Sequence, residues 1–352
     1  MKKYFEIYKE IKTGITLGKY TAGEKLASKR TVSQMLGVSV ITVQKAYEML
    51  IDEGYIVARQ RSGYFVADVG GVRSAQESEE RRYPTPLDEE SASMGNDFEY
   101  SVYLKSVRRV ISEKGDRLFT KSPGKGCAVL RNAISAYLFR YRGMYAPPER
   151  IIIGSGSEQL YESAVKLVGS ERIFGIEDPS YSQIETVYRG VGAKIKKLPM
   201  GKDGIISSCL TEDIDVLHVT PFHSYPSGIT ASVGKRGEYL RWASRTGGYI
   251  VEDDFDSEFF LPGQPIESLY SMDGEERVIY INTFSKSISP AVRMGYMIIP
   301  EGLSERYDQV LGGYSCTVPV LDQYVLADFI SGGHFERHLN RVRRRIKREE
   351  QN

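Results

Sequence analysis

Cysteine is scarce: the 352 residues include three, Cys127, Cys209 and Cys316. They are scattered, with no pair at metal-ligand spacing, which excludes a disulfide framework and fits a reducing compartment. The four histidines, His218, His223, His334 and His338, show no metal spacing either and read as structural. A long apolar run is missing, so no stretch reads as a membrane span. Met1-Lys2-Lys3-Tyr4 leads into a segment broken by Glu6, Lys9 and Glu10, which does not read as a signal peptide. The expectation is a soluble, cytoplasmic protein. An excess of one charge is missing too: the net charge is +1, so attraction to a polyanion has to be local. The length accommodates two domains, one small and one large.

Local basic charge is found at the amino-terminal end. Over residues 1–69 eleven Lys and Arg face seven Asp and Glu. Tyr4, Ile7, Tyr8, Ile11 and Ile15 recur at helical spacing. A second helix is expected after Ser28, a cap residue followed by Lys29 and Arg30, and runs to Leu36. Gly37-Val38-Ser39 makes a tight turn. A third helix then runs from about Val40 to Glu53, burying Val43, Ala46, Tyr47 and Leu50 and exposing Thr42, Gln44 and Lys45. Two short helices joined by a Gly turn form the helix-turn-helix pattern, whose second helix enters the DNA major groove. Tyr55-Ile56-Val57 and Tyr64-Phe65-Val66 read as a hairpin around Arg59-Gln60-Arg61-Ser62-Gly63, an arginine-tipped wing suited to the DNA backbone.

Residues 70–97 are rich in charge and proline and poor in apolar residues, so they read as a flexible charged linker. From residue 98 to 352 short apolar strands alternate with helices, starting at Ile151–Ile153, Ile173–Ile176, Val216–Val219 and Tyr249–Val251. This alternation implies an α/β domain with a mainly parallel sheet covered by helices, and ligands in such sheets sit at the strands' carboxyl ends. Several chemistry-bearing stretches fall there. Gly154-Ser155-Gly156-Ser157-Glu158-Gln159 opens a helix whose amino-terminal end favours an anion. Glu177-Asp178-Pro179-Ser180-Tyr181 follows another strand.

The remaining stretch is Thr283-Phe284-Ser285-Lys286-Ser287, with Arg293 and Gly295 beyond it. It lies between the apolar runs Val278–Ile281 and Met297–Ile299. Lys286 is expected in a loop between two core strands, partly dried, its pKa lowered so that a free amine can condense with an aldehyde. Arg293, Thr283, Ser285 and Ser287 form a cup for a phosphate. An amine, an arginine and hydroxyls around one pocket meet the needs of pyridoxal 5'-phosphate (PLP).

The amino-terminal pattern resembles a GntR-type winged helix over about residues 4–66: Leu26-x-Ser28-x-Arg30, Gly37-Val38-Ser39-x-x-Thr42-Val43, Ala46-Tyr47 and Gly63-x-Phe65-Val66. The later motifs resemble the fold-type I aminotransferase-like domain of MocR-type (GntR family) regulators. These motifs also include Pro221-Phe222-His223-Ser224-Tyr225-Pro226-Ser227-Gly228 and Glu252-Asp253-Asp254-Phe255-Asp256-Ser257-Glu258-Phe259. The resemblance implies DNA contacts by Ser28, Arg30, Ser39, Thr42, Lys45, Arg59, Arg61 and Gly63. It implies a PLP aldimine on Lys286, a pyridine-nitrogen partner in Asp253 and a phosphate site at Gly156, Ser157, Glu158, Thr283, Ser285 and Arg293. Tyr181 would lie against the cofactor ring, and Tyr225 beside it. The expected protein is a homodimeric, operator-binding transcription regulator whose second domain senses PLP or a small amine or amino-acid effector; the alternative is a PLP-dependent aminotransferase fused to a DNA-binding domain.

Some residues depart from the family pattern. Ala27 replaces a proline, and Val40 replaces an arginine whose loss costs on the order of 1–3 kcal/mol of affinity or discrimination. Glu158 puts a carboxylate beside the phosphate site. Phe255 lacks the hydroxyl of the usual tyrosine, for which Tyr225 is the candidate substitute. The family also continues into a small domain that grips a substrate carboxylate, so the aminotransferase-like domain is expected to be incomplete at its carboxyl end.

Overall fold

The computed structural model describes residues 3–59, 62–68, 98, 100–255, 257–259 and 267–349. Arg61, the linker over 70–97 and Asp256 lie outside the described residues. The chain divides into two compact units, Met1–Glu89 and Glu90–Asn352.

The first unit holds α1 (Lys3–Thr16), α2 (Lys29–Leu36), α3 (Val40–Asp52), β1 (Ile56–Arg59) and β2 (Gly63–Val66). The 3.6-residue spacing on α1 puts Ile7, Tyr8, Ile11 and Ile15 on one face, where they join Val43, Ala46, Tyr47 and Leu50 of α3 in one core. Ser28 and Ser39 cap α2 and α3, each accepting a 3.2 Å bond from the backbone N–H three residues on. Such caps contribute about 1 kcal/mol apiece. Gly37 ends α2 at φ +61°, a left-handed turn that glycine adopts without strain. β1 and β2 pair antiparallel, Ile56 opposite Val66.

The second unit begins with α4 (Tyr100–Lys114), α5 (Ala128–Tyr137), β3 (Ile151–Gly154), α6 (Ser157–Val168), β4 (Ile173–Asp178) and α7 (Ser182–Gly190). It continues with β5 (Lys194–Pro199), β6 (Val216–Val219), α8 (Val233–Thr246), β7 (Tyr249–Asp253) and α9 (Leu269–Met272). β8 (Val278–Thr283), the single turn α10 (Phe284–Ser287), β9 (Gly295–Ile298), α11 (Ser304–Val310), α12 (Val320–Ser331) and α13 (His334–Glu349) follow. The seven strands of the described sheet run in the order β3-β9-β8-β7-β6-β4-β5. All neighbours are parallel except β9, which is antiparallel to both β3 and β8.

Strand side chains alternate between two covered faces. Ile279 and Ile281 pack with α6 and α7, while Tyr280 packs on the opposite side with α5, α12 and α13. All three are fully buried, and each contributes about 1.5–3 kcal/mol. β5 carries no apolar run: its Lys-Ile-Lys-Lys-Leu-Pro sequence suits an edge strand guarded by lysines, and sequence patterning alone passes over it. Among the described residues no helix is long and apolar enough to cross a membrane.

Candidate functional site

The strand order brings the candidate residues of the second unit together at the carboxyl ends of the parallel strands. β7 ends at Asp253, whose strand pairs in register with β8, Asp253 opposite Ile281. β8 runs two residues further to Thr283, and α10 carries Lys286. Because β9 is antiparallel, it enters the sheet from that same end, with Gly295 opposite both Thr283 and Gly154. Arg293, two residues before Gly295, therefore meets Gly156, two residues after Gly154.

That meeting is close. Gly156 holds φ +102°, and a Cβ there would stand 3.1 Å from Arg293 Nη2 and 3.3 Å from its Cζ. The positive φ favours glycine, and any side chain there would press on the Arg293 guanidinium. Ser157 starts α6 directly after it, with free backbone donors of the first turn nearby. Glu158 does not turn away from this cradle: its Oε2 lies 3.7 Å from Arg293 Nη2, with both side chains at least half exposed. Thr283 is buried at the end of β8, and Ser285 Oγ lies 3.5 Å from the Val292 carbonyl.

Asp253 is buried, and its Oδ2 accepts a hydrogen bond from the Tyr161 hydroxyl. Its Oδ1 is buried with no hydrogen-bond partner. Burial pushes the carboxyl up to about 7, the Tyr161 bond opposes this and the nearby Asp254 charge adds to it. His218 stands behind it on β6, with Nε2 3.9 Å from Asp253 Oδ2 and Nδ1 2.6 Å from the Tyr188 hydroxyl. Burial lowers His218 to about 3, so it is neutral and makes no ion pair with Asp253. Sequence reading missed Tyr161 and Tyr188. Their inward helical positions on α6 and α7 were the available signal, but nothing in the spacing named the strand end they meet.

Lys286, expected to be partly dried in a loop, is instead exposed and sits in a helical turn. The turn buries Phe284 and Ser287, three residues apart, which directs Lys286 outward. Its Nζ lies 4.9 Å from the centroid of the Phe255 ring, a cation–π distance. The turn is held from α13, where His338 Nε2 lies 2.9 Å from the Ser287 carbonyl oxygen.

Tyr181 and Tyr225 come together edge to face, centroids 6.3 Å apart, both exposed. Buried Glu177 anchors the Tyr225 loop, accepting bonds from Ser224 Oγ at 2.6 Å and Thr220 N–H at 3.2 Å. Beneath Asp253 a second polar cluster is dry: Arg142 Nη2 meets Asp254 Oδ2 at 2.9 Å, and the Tyr280 hydroxyl donates to the same oxygen at 2.6 Å. Among the described residues no group of His, Cys, Asp and Glu is arranged to hold a metal ion.

In the first unit Arg30, Ser39 and Lys45 are exposed, while Thr42 is half-buried and its hydroxyl bonds that of Ser39. Lys45 Nζ lies 4.8 Å over the Tyr4 ring and the Arg59 guanidinium 4.5 Å over Phe65. Gly63 opens β2 at φ +112°.

The family described as "Bacterial regulatory proteins, gntR family" matches residues 3–66. An uncharacterized HTH-type transcriptional regulator, YdeL of Bacillus subtilis (strain 168), is 32% identical over 98% of this chain and 77% of its own length. The probable rhizopine catabolism regulatory protein MocR of Rhizobium meliloti is 29% identical over 96% of this chain and 74% of its own. Among solved structures, the alpha-aminoadipate aminotransferase LysN of Thermus thermophilus aligns with a TM-score of 0.63 and 26% identity, over 70% of this chain. The chain spans under two thirds of that enzyme, 64% of its length. A helix-turn-helix and wing, an aminotransferase-like sheet and these relatives make the chain a member of the MocR-type group of GntR-family HTH transcriptional regulators.

Proposed function

We propose that this transcription regulator binds operator DNA through α3 and the wing, and binds PLP at the strand-end site of its second unit. The observation that carries the cofactor reading is Asp253: a buried carboxylate oxygen with no partner, at a strand's carboxyl end. A protonated pyridine nitrogen is the donor that this oxygen lacks. The Gly156–Arg293 contact and the first turn of α6 fit a phosphate. When bound, PLP supplies an aldehyde that condenses with amines and a ring that accepts electrons.

The chain's own residues do the rest. Lys286 offers its amine from α10, on the exposed side of the turn. Tyr161 orients the Asp253 carboxylate, leaving Oδ1 for the ring. Tyr181 and Tyr225 wall one side, and Phe255 contributes an apolar face without a hydroxyl. Asp253, Lys286, Arg293, Gly156, Ser157, Thr283 and Ser285 hold the cofactor in this reading; Glu158 tempers the phosphate site.

For DNA, Arg30, Lys45 and Arg59 supply exposed cations, with Ser28, Ser39, Thr42 and Gly63 setting the caps and the wing turn that present them. In this reading the second unit pairs two copies, so that two DNA modules meet paired half-sites. Domain limits of 1–69, 70–97 and 98–352 accompany this reading. Titrating the full chain with PLP by absorbance, followed by promoter footprinting with and without PLP, tests it. A chain that footprints a promoter but gives no spectral change with PLP removes the sensor role.

A further inference from the structure

The start of α3 carries apolar side chains that the core does not use. Ile41 is 78% exposed and Val40 40%, whereas Val43, Ala46, Tyr47 and Leu50 further along the helix are buried. These two are the first and second residues of α3, the positions of a recognition helix that meet base edges. The polar groups around them are engaged elsewhere. Ser39 and Thr42 bond each other at 2.8 Å. Gln44 Nε2 donates to Glu48 at 2.9 Å, and its Oε1 accepts from Lys29 at 3.3 Å.

We propose that Val40 and Ile41 read thymine, packing against its C5-methyl group in the major groove. The inference rests on the DNA-reading role given to α3 above. The major groove presents one apolar feature among the four base pairs, the thymine methyl. The surroundings favour DNA as the occupant: Arg30 and Lys45 are exposed close in sequence to the pair, which suits a polyanion. A second copy docked on the same patch would set like charges against each other. Val40 carries no group that can hydrogen-bond a guanine edge, so the preference at that step is A·T.

The test uses the full chain and duplexes recovered from a random-sequence pool. Each thymine is replaced in turn by deoxyuridine, which removes the methyl and keeps every hydrogen-bonding group. Affinity is expected to fall about fourfold at each contacted thymine, the transfer value of one buried carbon. Ile41→Ala and Val40→Ala should weaken binding and cancel the uridine effect at their own thymine. Val40→Arg should shift the recovered duplexes toward guanine. Tight binding indifferent to deoxyuridine at every position overturns the inference and leaves DNA binding standing. Recovery of no duplex overturns the DNA-reading role itself. A change of oligomeric state in Ile41→Ala, with the uridine response unaltered, makes the patch a self-interface and also overturns it.

Discussion

Glu158→Gln is the perturbation that most directly tests the phosphate cradle. The Glu158 carboxylate stands 3.7 Å from Arg293, and both groups are at least half exposed, so a water-like dielectric applies. Two unit charges about 4 Å apart then interact by about 1 kcal/mol, and a dianion seated on Arg293 meets roughly twice that in repulsion from Glu158. The carboxylate also occupies the guanidinium in the free protein, an exposed pair contributing less than about 1 kcal/mol. Both effects oppose phosphate binding and together amount to about 2–3 kcal/mol, so removing the charge should tighten PLP about thirtyfold to 150-fold at low ionic strength. The assay is an absorbance titration at two salt concentrations, with pyridoxal, which lacks the phosphate, as control. The gain should shrink at about 1 M salt, where the screening length is about 3 Å, and pyridoxal should bind both proteins equally. An equal gain for pyridoxal, or none for PLP, would mean that phosphate is not seated at Arg293.

Lys286→Ala should abolish the borohydride-stable label that PLP leaves on the peptide containing residue 286; a label of undiminished intensity in the variant refutes the assignment. Asp253 keeps its proton to about pH 7 when folded because it is buried, whereas an unfolded Asp loses it near pH 4. The folded chain thus binds more protons across that window, and ligand-free stability from this group falls as pH rises through it. Asp253→Asn should therefore raise the melting temperature at pH 8 relative to wild type, more than at pH 4, while weakening PLP binding; calorimetry at the two pH values checks this. Leu50→Ala removes a fully buried side chain from the first unit's core and should cost about 2–5 kcal/mol, abolishing DNA retention in gel shifts while the PLP spectrum persists. Lys45→Ala should weaken all duplexes alike and lower the slope of log affinity against log salt by about 1.

The helix-turn-helix was legible because its information is local. Ser28 and Ser39 cap, Gly37 turns, and the apolar residues of α1 and α3 recur at the helical period, so each element declares itself within a few residues. The strand-end motifs were legible for the same reason, as short apolar runs ending in Gly, Asp or Thr. β5 was not, because an edge strand built of lysines has no apolar run to announce it. The environment of Lys286 was misread as well. Flanking core strands suggested a dried loop, but a single helical turn buries Phe284 and Ser287 and turns the lysine outward.

Sequence alone determined the order of parts and the chemical inventory: a basic winged helix, then an acid, a lysine and an arginine on an alternating α/β frame. Tertiary structure decided which of these groups meet. The antiparallel entry of β9 returns Arg293 to Gly156, and the register of β7 on β8 sets Asp253 on the strand next to α10. Strand order and direction are fixed by packing between residues far apart in the chain. No periodicity within a segment records that Tyr161 orients Asp253, or that Glu158 turns toward the arginine.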